Sequence, residues 1–295
     1  EQRHRHREFL LTGLMPEQIH RRKRADAAAD GRAQFTIGTA GAWNVVAVKD
    51  DVTQVGTVVV ENVVTRALAL PAPLDSLTWT EIAAISRAGL AAQNFSIGDS
   101  KQITLSSGEV VIAEIIGFDH DDIADGSVAT YGRTKAGITF QTRKVLNSPR
   151  RFNGSNVIWS GSEMRLTTLP SIAEMLPYDL QREIVQVKKY TANAFTAAAG
   201  SWEIETTIDQ LFLLSRVEAI NKSITHPGEG TQYEYYAAGR SVIKTDNGGT
   251  ARPWWNRSPY NVSSLNGIMI ITAAGAENYS GATSNANYIA FAFCV

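Results

Sequence analysis

Residues 254–259 read Trp-Trp-Asn-Arg-Ser-Pro, and an unbroken apolar run, YIAFAFCV, follows at residues 288–295. Two adjacent tryptophans must split between the faces of a strand or lie at a bend. Arg257 beside them either stacks on an indole ring or pairs with a buried acid. We therefore interpret Trp254, Trp255 and Arg257 as a structural anchor for the loops that follow, in preference to a sugar-stacking platform. The run at 288–295 predicts a core strand.

Tyrosines and small polar residues dominate the stretch between Pro259 and Tyr288, and a core strand, GIMIITAA at residues 267–274, interrupts it. Rigid rings with adaptable polar groups are typical of recognition surfaces. Because Gly, Asn and Ser also mark ordinary turns, plain loops remain an equal alternative. The candidate ligand-binding residues are Tyr260, Asn261, Ser263, Ser264, Asn266, Asn278, Tyr279, Ser280, Asn285, Asn287 and Tyr288.

Further toward the N-terminus, the pattern mixes helices and strands. TWTEIAAISRAGLAAQ (78–93) predicts a helix capped by Thr78 or Thr80, and residues 95–122 predict a β-hairpin turning at Ser107-Gly108. Residues 171–187 predict a helix broken near Pro177, and residues 209–220 a buried strand followed by a turn. Helices early and short strands late indicate an α+β domain over residues 77–295 rather than alternating βαβ units.

The first 72 residues differ in composition from the rest. Residues 1–32 are rich in basic residues and helix formers, so we predict a basic helical arm that docks on a partner chain, with nucleic acid or membrane as the alternative. Residues 33–72 contain short β-branched runs that predict a small β module. Residues 69–76 contain two prolines followed by an Asp and a Ser, which predict a linker with a domain boundary near 72–76. The arm's basic cluster is Arg21, Arg22, Lys23 and Arg24.

Composition excludes several classes of protein. The chain has 295 residues, 28 Lys+Arg against 29 Asp+Glu, and 44% hydrophobic residues, which argues for a globular core and against a generic nucleic-acid binder. Cys294 is the single cysteine, which excludes an internal disulfide framework. No apolar run approaches the roughly 20 residues of a membrane span, and no signal-peptide pattern is present, so we expect no membrane span.

Catalytic and metal-binding motifs are absent, including the nucleophile elbow and the phosphate-binding glycine loops. His120 lies in Phe-Asp-His-Asp-Asp at residues 118–122. We prefer a solvated loop there to a divalent-cation site, because neighbouring strand residues point to opposite faces. A glycan hydrolase would need two facing carboxylates. None of the available acids has diagnostic spacing, so we expect no enzyme activity, no metal and no cofactor. These acids are Asp119, Asp121, Asp122, Glu163 and Glu234.

A series of ordered motifs carries a family resemblance. It runs through Trp79-Thr-Glu-Ile, IIGFDHDD with KAGITF (135–140), Trp159-Ser-Gly-Ser-Glu-Met-Arg165, LPYDLQREIVQVKKYT, LFLLSRVE (211–218), GEGTQYEYY, WWNRSP and the terminal Phe293-Cys294-Val295. From about residue 77 to 295 the chain resembles an uncharacterised domain-of-unknown-function family. That family is common in tail and other structural proteins of phages and prophages of Gram-positive gut bacteria, and in surface proteins of those hosts.

The resemblance implies a fold. The Trp-Trp-x-Arg-Ser segment and the Gly-rich C-terminal strands are similar to the C-type-lectin-like fold, with Trp159 as a further anchor. That fold also serves the variable proteins of diversity-generating retroelements, and residues 260–288 look like such a diversified segment. The calcium motifs of sugar-binding C-type lectins are absent, which argues against calcium-dependent sugar binding. Formylglycine-generating enzymes share the broader fold, but Cys294 alone does not supply their cysteine pair.

The resemblance also implies a function. We expect a phage virion structural protein on the virion surface, at the tail or capsid exterior. Residues 1–75 would attach it to other virion proteins, and residues 77–295 would act as an adhesin for a host cell-surface glycan or protein. The alternative is a capsid decoration, head-fibre or tail adaptor protein without direct receptor binding. A homo-oligomer is expected because the N-terminal segments have little apolar surface of their own, and the resemblance favours a trimer.

Overall fold

The computed structural model describes residues 8–14, 21–26, 41–49, 52–60, 73–155, 158–193, 203–222, 228–261 and 264–295. Only the backbone is described for residues before 73 and for residues 193, 261 and 264–266. The chain divides into two compact units, Glu1–Leu70 and Pro71–Val295. The division lies within the linker expected at residues 69–76, just before the boundary expected near 72–76.

The N-terminal unit contains a four-stranded antiparallel sheet in the order β2-β1-β3-β4. Its strands are β1 (Glu8–Leu14), β2 (Arg21–Asp26), β3 (Gly41–Lys49) and β4 (Val52–Val60). The β-branched runs of β3 and β4 confirm the strands predicted there, whereas the FTIG (35–38) and RALAL (66–70) runs lie outside the described residues.

The predicted helical arm is wrong over β1 and β2. The basic cluster Arg21–Arg24 lies in an edge strand, paired through β1 with the same sheet that contains β3. Helix propensity is a weak preference of a few tenths of a kcal/mol per residue, and pairing with a neighbouring strand overrides it. Charged residues also suit an edge strand, because they discourage pairing with foreign strands.

The C-terminal unit combines short helices with antiparallel sheets, which makes it α+β as predicted. Its helices are α1 (Trp79–Arg87), α2 (Ala91–Asn94), α3 (Asp125–Tyr131), α4 (Leu169–Met175), α5 (Tyr178–Glu183), α6 (Arg216–Ile220) and α7 (Glu234–Ala237). Its strands are β5 (Ser100–Thr104), β6 (Val110–Phe118), β7 (Ile138–Thr142), β8 (Val187–Asn193), β9 (Glu203–Asp209), β10 (Leu211–Phe212), β11 (Lys244–Thr245), β12 (Ala251–Arg252), β13 (Trp254–Asn261), β14 (Ser264–Ile271), β15 (Glu277–Gly281) and β16 (Ala292–Cys294). Two 3₁₀ turns, Leu74–Ser76 and Trp159–Gly161, and a π-helical turn, Met164–Thr168, complete the described elements.

The central sheet has five strands in the order β10-β16-β7-β6-β5, and a second sheet has the order β13-β14-β15. The ribbons β8-β9 and β11-β12 lie beside them. The predicted strand YIAFAFCV is confirmed over Ala292–Cys294, where β16 lies in the interior of the five-stranded sheet. Phe293 packs edge-to-face on Trp79 and stacks on Phe140. This aromatic cluster is part of one continuous core that extends from Leu74 to Val295.

Strong local signals predicted three element boundaries. Thr78 caps α1 in a reciprocal capping box with Glu81, and the hairpin β5-β6 turns through Gly108, whose φ is +84°. Pro177 separates α4 from α5 as expected. After β10, helix α6 forms instead of a turn, because Ser215 opens a second capping box. In the described part of the chain no helix is long and apolar enough to cross a bilayer.

Candidate functional site

A β-bulge re-aims the middle of the WWNRSP segment. Trp255 of β13 lies opposite Ile270 of β14, but Pro259 lies opposite Ile268, so three residues of β13 fit against one of β14. Such bulges bend a strand and redirect its side chains. Here the bulge turns Arg257 inward, where the side chain is completely buried.

Arg257 forms a buried, two-point ion pair with Glu218, which lies in the first turn of α6. Its Nη1 and Nη2 lie 2.5 Å and 2.9 Å from the two carboxylate oxygens. Nε also donates to Thr191 and Nη1 to the Leu213 carbonyl. Of the two roles expected for Arg257, pairing with a buried acid is therefore the one observed.

The Arg257–Glu218 pair extends into a buried ionic network. Lys189 bridges Glu218 and Asp121, with its Nζ 2.7 Å and 2.6 Å from their carboxylates. The hydroxyl of Tyr233 donates to Asp121 at 2.9 Å. All these side chains are almost completely buried, and their charges are paired.

Burial and charge pairing shift the pKa values of this network in opposite directions. Burial raises the pKa of Asp121, but the Lys189 ammonium outweighs it and holds that pKa well below its usual range. Burial lowers the pKa of Lys189, but Asp121 and Glu218 outweigh it, so the net shift is upward. Both groups therefore stay charged at neutral pH.

Glu229 is a third acid beside this network and has no cation of its own. Burial raises the pKa of Glu229 to about 7. Its carboxyl accepts from the Ser258 hydroxyl at 2.5 Å and from the Ala192 amide at 2.9 Å. The network thus contains three acids and two cations, and a proton on Glu229 balances it.

The three predicted tryptophan anchors are fully buried. Each indole Nε1 donates to a different segment: Trp254 to the Val242 carbonyl, Trp255 to the Arg150 carbonyl and Trp159 to the Asp209 carboxylate. The tryptophans therefore tie loops to the core rather than offering a ring to a ligand.

Two of the predicted ligand-binding tyrosines form an exposed stacked pair. The ring centroids of Tyr260 and Tyr279 are 3.9 Å apart with 20° between the planes, and the residues are 36% and 50% exposed. Tyr260 is on β13 and Tyr279 on β15, with β14 between them. Gly267 of β14 makes the stack possible, because a Cβ there would lie 2.8 Å from the Cβ of Tyr260 and 3.2 Å from the Tyr279 ring. We call Tyr260 and Tyr279 the tyrosine pair.

Three more of the predicted ligand-binding residues lie on β15 and on the loop that follows it. Asn278 is exposed, and its side-chain oxygen accepts from the Tyr279 amide. Ser280 is half-buried, and Asn285 is exposed on the following loop. The side chains of four other predicted ligand-binding residues lie outside the described residues: Asn261, Ser263, Ser264 and Asn266.

The structure does not place Asn287 and Tyr288 with the tyrosine pair, which corrects the predicted surface. Asn287 is only 3% exposed, and its carbonyl accepts from Arg150. Tyr288 bridges Trp254 on the edge of β13 remote from β14. These positions are fixed by backbone pairing of the 287–288 segment, which composition alone does not reveal.

The preferred solvated loop at 118–122 is also wrong in part. Asp121 points into the core network, and His120 stacks on Tyr233 with ring centroids 4.0 Å apart. Burial lowers the pKa of His120. Asp119 and Asp122 do lie toward solvent, paired with Arg133 and Lys135. Among the described residues no group of three or more His, Cys, Asp or Glu is placed to hold a metal ion.

Sequence reasoning missed Lys189, Glu218, Glu229 and Tyr233. One signal was available: Ser215-Arg-Val-Glu218 has the spacing of a capping box, and Glu218 indeed accepts from the Ser215 amide. Its ion pairs depend on strands more than 25 residues away in sequence, which no local pattern specifies.

A family comparison covers most of the same unit. The model of a family described as a domain of unknown function, DUF6273, matches residues 137–295. The chain belongs to this family. The DUF6273 match begins at β7 rather than near residue 77, where the resemblance was expected to begin, and it includes Trp159, Arg257 and the tyrosine pair. No curated protein and no solved structure matches the chain.

Proposed function

We propose that this protein is a phage virion structural protein whose C-terminal unit binds a receptor on the host cell surface. The observation that carries the proposal is the tyrosine pair, two exposed rings stacked on a rigid sheet. A C-type-lectin-like fold for this unit, and diversification of residues 260–288, belong to the same proposal.

The tyrosine pair is suited to binding because it is ordered before a ligand arrives. Tyr260 and Tyr279 hold each other in place over Gly267, so little side-chain freedom remains to be lost on association. Tyrosine contributes a large apolar face and a hydroxyl at low entropic cost. Exposed rings of this kind have no structural role in the core.

The surroundings of the tyrosine pair favour an uncharged ligand. Glu277, on the same strand as Tyr279, is paired with Arg216 at 2.6 Å and with Lys222 at 2.5 Å. Asn278 and Ser280, the chain neighbours of Tyr279, are uncharged and point to the other face of β15. Exposed ring faces whose nearby carboxylate is already paired fit a neutral cell-surface glycan better than an acidic polymer.

Four of the five acids considered for glycan hydrolysis have structural partners. Asp121 is buried against Lys189, Asp122 pairs with Lys135 and Glu163 with Arg151. These contacts support a binding domain over a hydrolase, because a catalytic carboxylate must meet the substrate.

The N-terminal unit would connect the protein to the virion. It is a compact unit of its own, and its edge strand β2 contains Arg21–Arg24. The positive charge of this strand is complementary to that of an acidic neighbouring subunit. This unit also favours the alternative, a decoration or adaptor protein, if the C-terminal unit binds no receptor.

The test is binding of the full-length protein to a panel of Gram-positive gut bacteria, measured by flow cytometry. We compare wild type with the double variant Tyr260→Ala/Tyr279→Ala. Tyr178→Ala is the matched control, because Tyr178 is 74% exposed on α5, outside the three-stranded sheet. Loss in the double variant alone supports the proposal. Equal binding by all three proteins contradicts the role of the tyrosine pair, and no binding to any strain favours the decoration protein.

A further inference from the structure

The C-terminal unit contains a groove, and neither residue of the tyrosine pair lines it. It has a volume of about 420 Å³, which falls within the usual range for ligand sites. Three regions build it: the π-helical turn with α4, the α5–β8 connection, and the end of β9 with β10. Because α4 forms one wall, we call it the α4 groove.

The polar floor of the α4 groove is already satisfied within the protein. Arg165 binds the Asp209 carboxylate at 2.6 Å, and its two terminal nitrogens donate to the carbonyls of Ser160 and Ile208. Asp209 also accepts from Trp159 and Thr207. Three of the five N–H groups of Arg165 are therefore bound within the protein, and its charge is paired with Asp209.

Two aliphatic side chains on the α4 groove are unusually exposed. Leu166, from the π-helical turn, is 56% exposed, and Ile208, near the end of β9, is 41% exposed. π-Helical turns interrupt a helix and occur frequently at functional sites. Covering the two side chains would be favourable by the hydrophobic effect.

Three polar side chains of the α4 groove have no partner among the residues that the structure describes. Among the described residues, the exposed side chains of Glu174, Gln186 and Gln210 make no hydrogen bond or ion pair. Two primary amides supply donors and acceptors that match peptide groups. The single free charge, Glu174, favours a cation.

We propose that the α4 groove binds an extended peptide segment of a partner protein, one that contains an aliphatic side chain next to a lysine or arginine. The aliphatic side chain covers Leu166 and Ile208, and the basic group pairs with Glu174. Gln186 and Gln210 hydrogen-bond the peptide backbone. This site is independent of the tyrosine pair and does not depend on receptor binding.

The experiment uses an array of acetylated hexapeptides with a central leucine, in which every flanking position is varied through all residue types. Fluorescently labelled full-length protein is applied, and the best peptides are titrated by fluorescence anisotropy at low and high salt. We expect selection of peptides with Lys or Arg within two positions of the leucine, and weaker binding at high salt.

Two groove variants and one control sharpen the result. Glu174→Gln should weaken the selected peptide by up to about fivefold and remove the preference for basic residues. Leu166→Ser, a change at an exposed position, should weaken it by about tenfold or more. The double variant Tyr260→Ala/Tyr279→Ala should bind the peptide as wild type does.

Three results overturn the proposal: no peptide bound with a dissociation constant below about 1 mM, selection of acidic peptides, or unchanged affinity in both groove variants. Circular dichroism of each variant establishes that it is folded. Peptide binding and cell binding are measured on the same protein, so a negative result for the α4 groove is distinguished from a negative result for the tyrosine pair.

Discussion

At the scale of single residues, the Arg257–Glu218 pair stabilises the fold because each buried charge has its partner. Arg257→Ala should lower the free energy of unfolding by about 3–5 kcal/mol, because it leaves a buried carboxylate without its main partner. Denaturant titration followed by tryptophan fluorescence measures the loss. The matched control is Arg151→Ala, which removes a solvent-exposed pair with Glu163 and should cost at most about 1 kcal/mol. Similar losses in both variants would contradict this account of the network.

Glu229 makes the stability of the C-terminal unit depend on pH. Its folded-state pKa of about 7 lies above the ordinary value of 4.5, so the folded state keeps a proton that the unfolded state releases between these values. The stabilising contribution is therefore complete below pH 4.5 and is lost as the pH rises toward 7.

The measurement compares wild type with Glu229→Gln, which keeps a neutral side chain of the same shape. Across the window from pH 4.5 to 7, the wild type should lose stability relative to the variant by about 1.4 kcal/mol per pH unit. Above that window the difference should be constant. Parallel stability curves for the two proteins from pH 4 to 8 would show that Glu229 ionises normally.

At the scale of elements, β14 sets the spacing of the tyrosine pair. Gly267→Ala would put a methyl group 2.8 Å from the Cβ of Tyr260 and 3.2 Å from the Tyr279 ring, so the stack must open. We expect cell binding to fall at least as far as in Tyr279→Ala, with a stability loss of about 1–3 kcal/mol. Near-ultraviolet circular dichroism reports the rings, and flow cytometry reports binding.

Gly126→Ala is the matched control for that change. Gly126 lies inside α3, and a Cβ there would meet no atom within 4 Å. Alanine is the better helix former by about 1 kcal/mol. The control should therefore leave binding unchanged and stability equal or higher. A binding loss as large as that of Gly267→Ala would indicate that the effect does not arise from the tyrosine pair.

Elements with a strong local cause were predictable from the sequence. Thr78 with Glu81, the turn at Gly108 and the break at Pro177 each act within a few residues, and each element boundary followed. β1 and β2 were not predictable in this way. Their strand conformation depends on pairing with β3, and their own helix propensity points the other way.

The residues of the candidate site also differ in whether local sequence or distant contacts determine their position. Composition identified Tyr260 and Tyr279 as candidates, because tyrosines among small polar residues are typical of recognition surfaces and not of a buried core. It did not separate them from Asn287, whose burial follows from the parallel bridge between Tyr288 and Trp254. The partners of Arg257 lie in three other segments, so the sequence left an indole ring and a buried acid as alternatives and did not identify Glu218.

At the scale of the whole molecule, the two compact units should separate in function as well as in structure. A chain beginning at Pro71 keeps the complete core from Leu74 to Val295. We therefore expect it to fold, to retain the near-ultraviolet signal of its buried tryptophans and to bind cells through the tyrosine pair.

Since attachment and assembly are proposed for the N-terminal unit, the shortened chain should be a monomer and the full chain a trimer. Light scattering after gel filtration measures both masses. An oligomeric shortened chain would place assembly in the C-terminal unit, and an unfolded one would show that residues 1–70 stabilise the core.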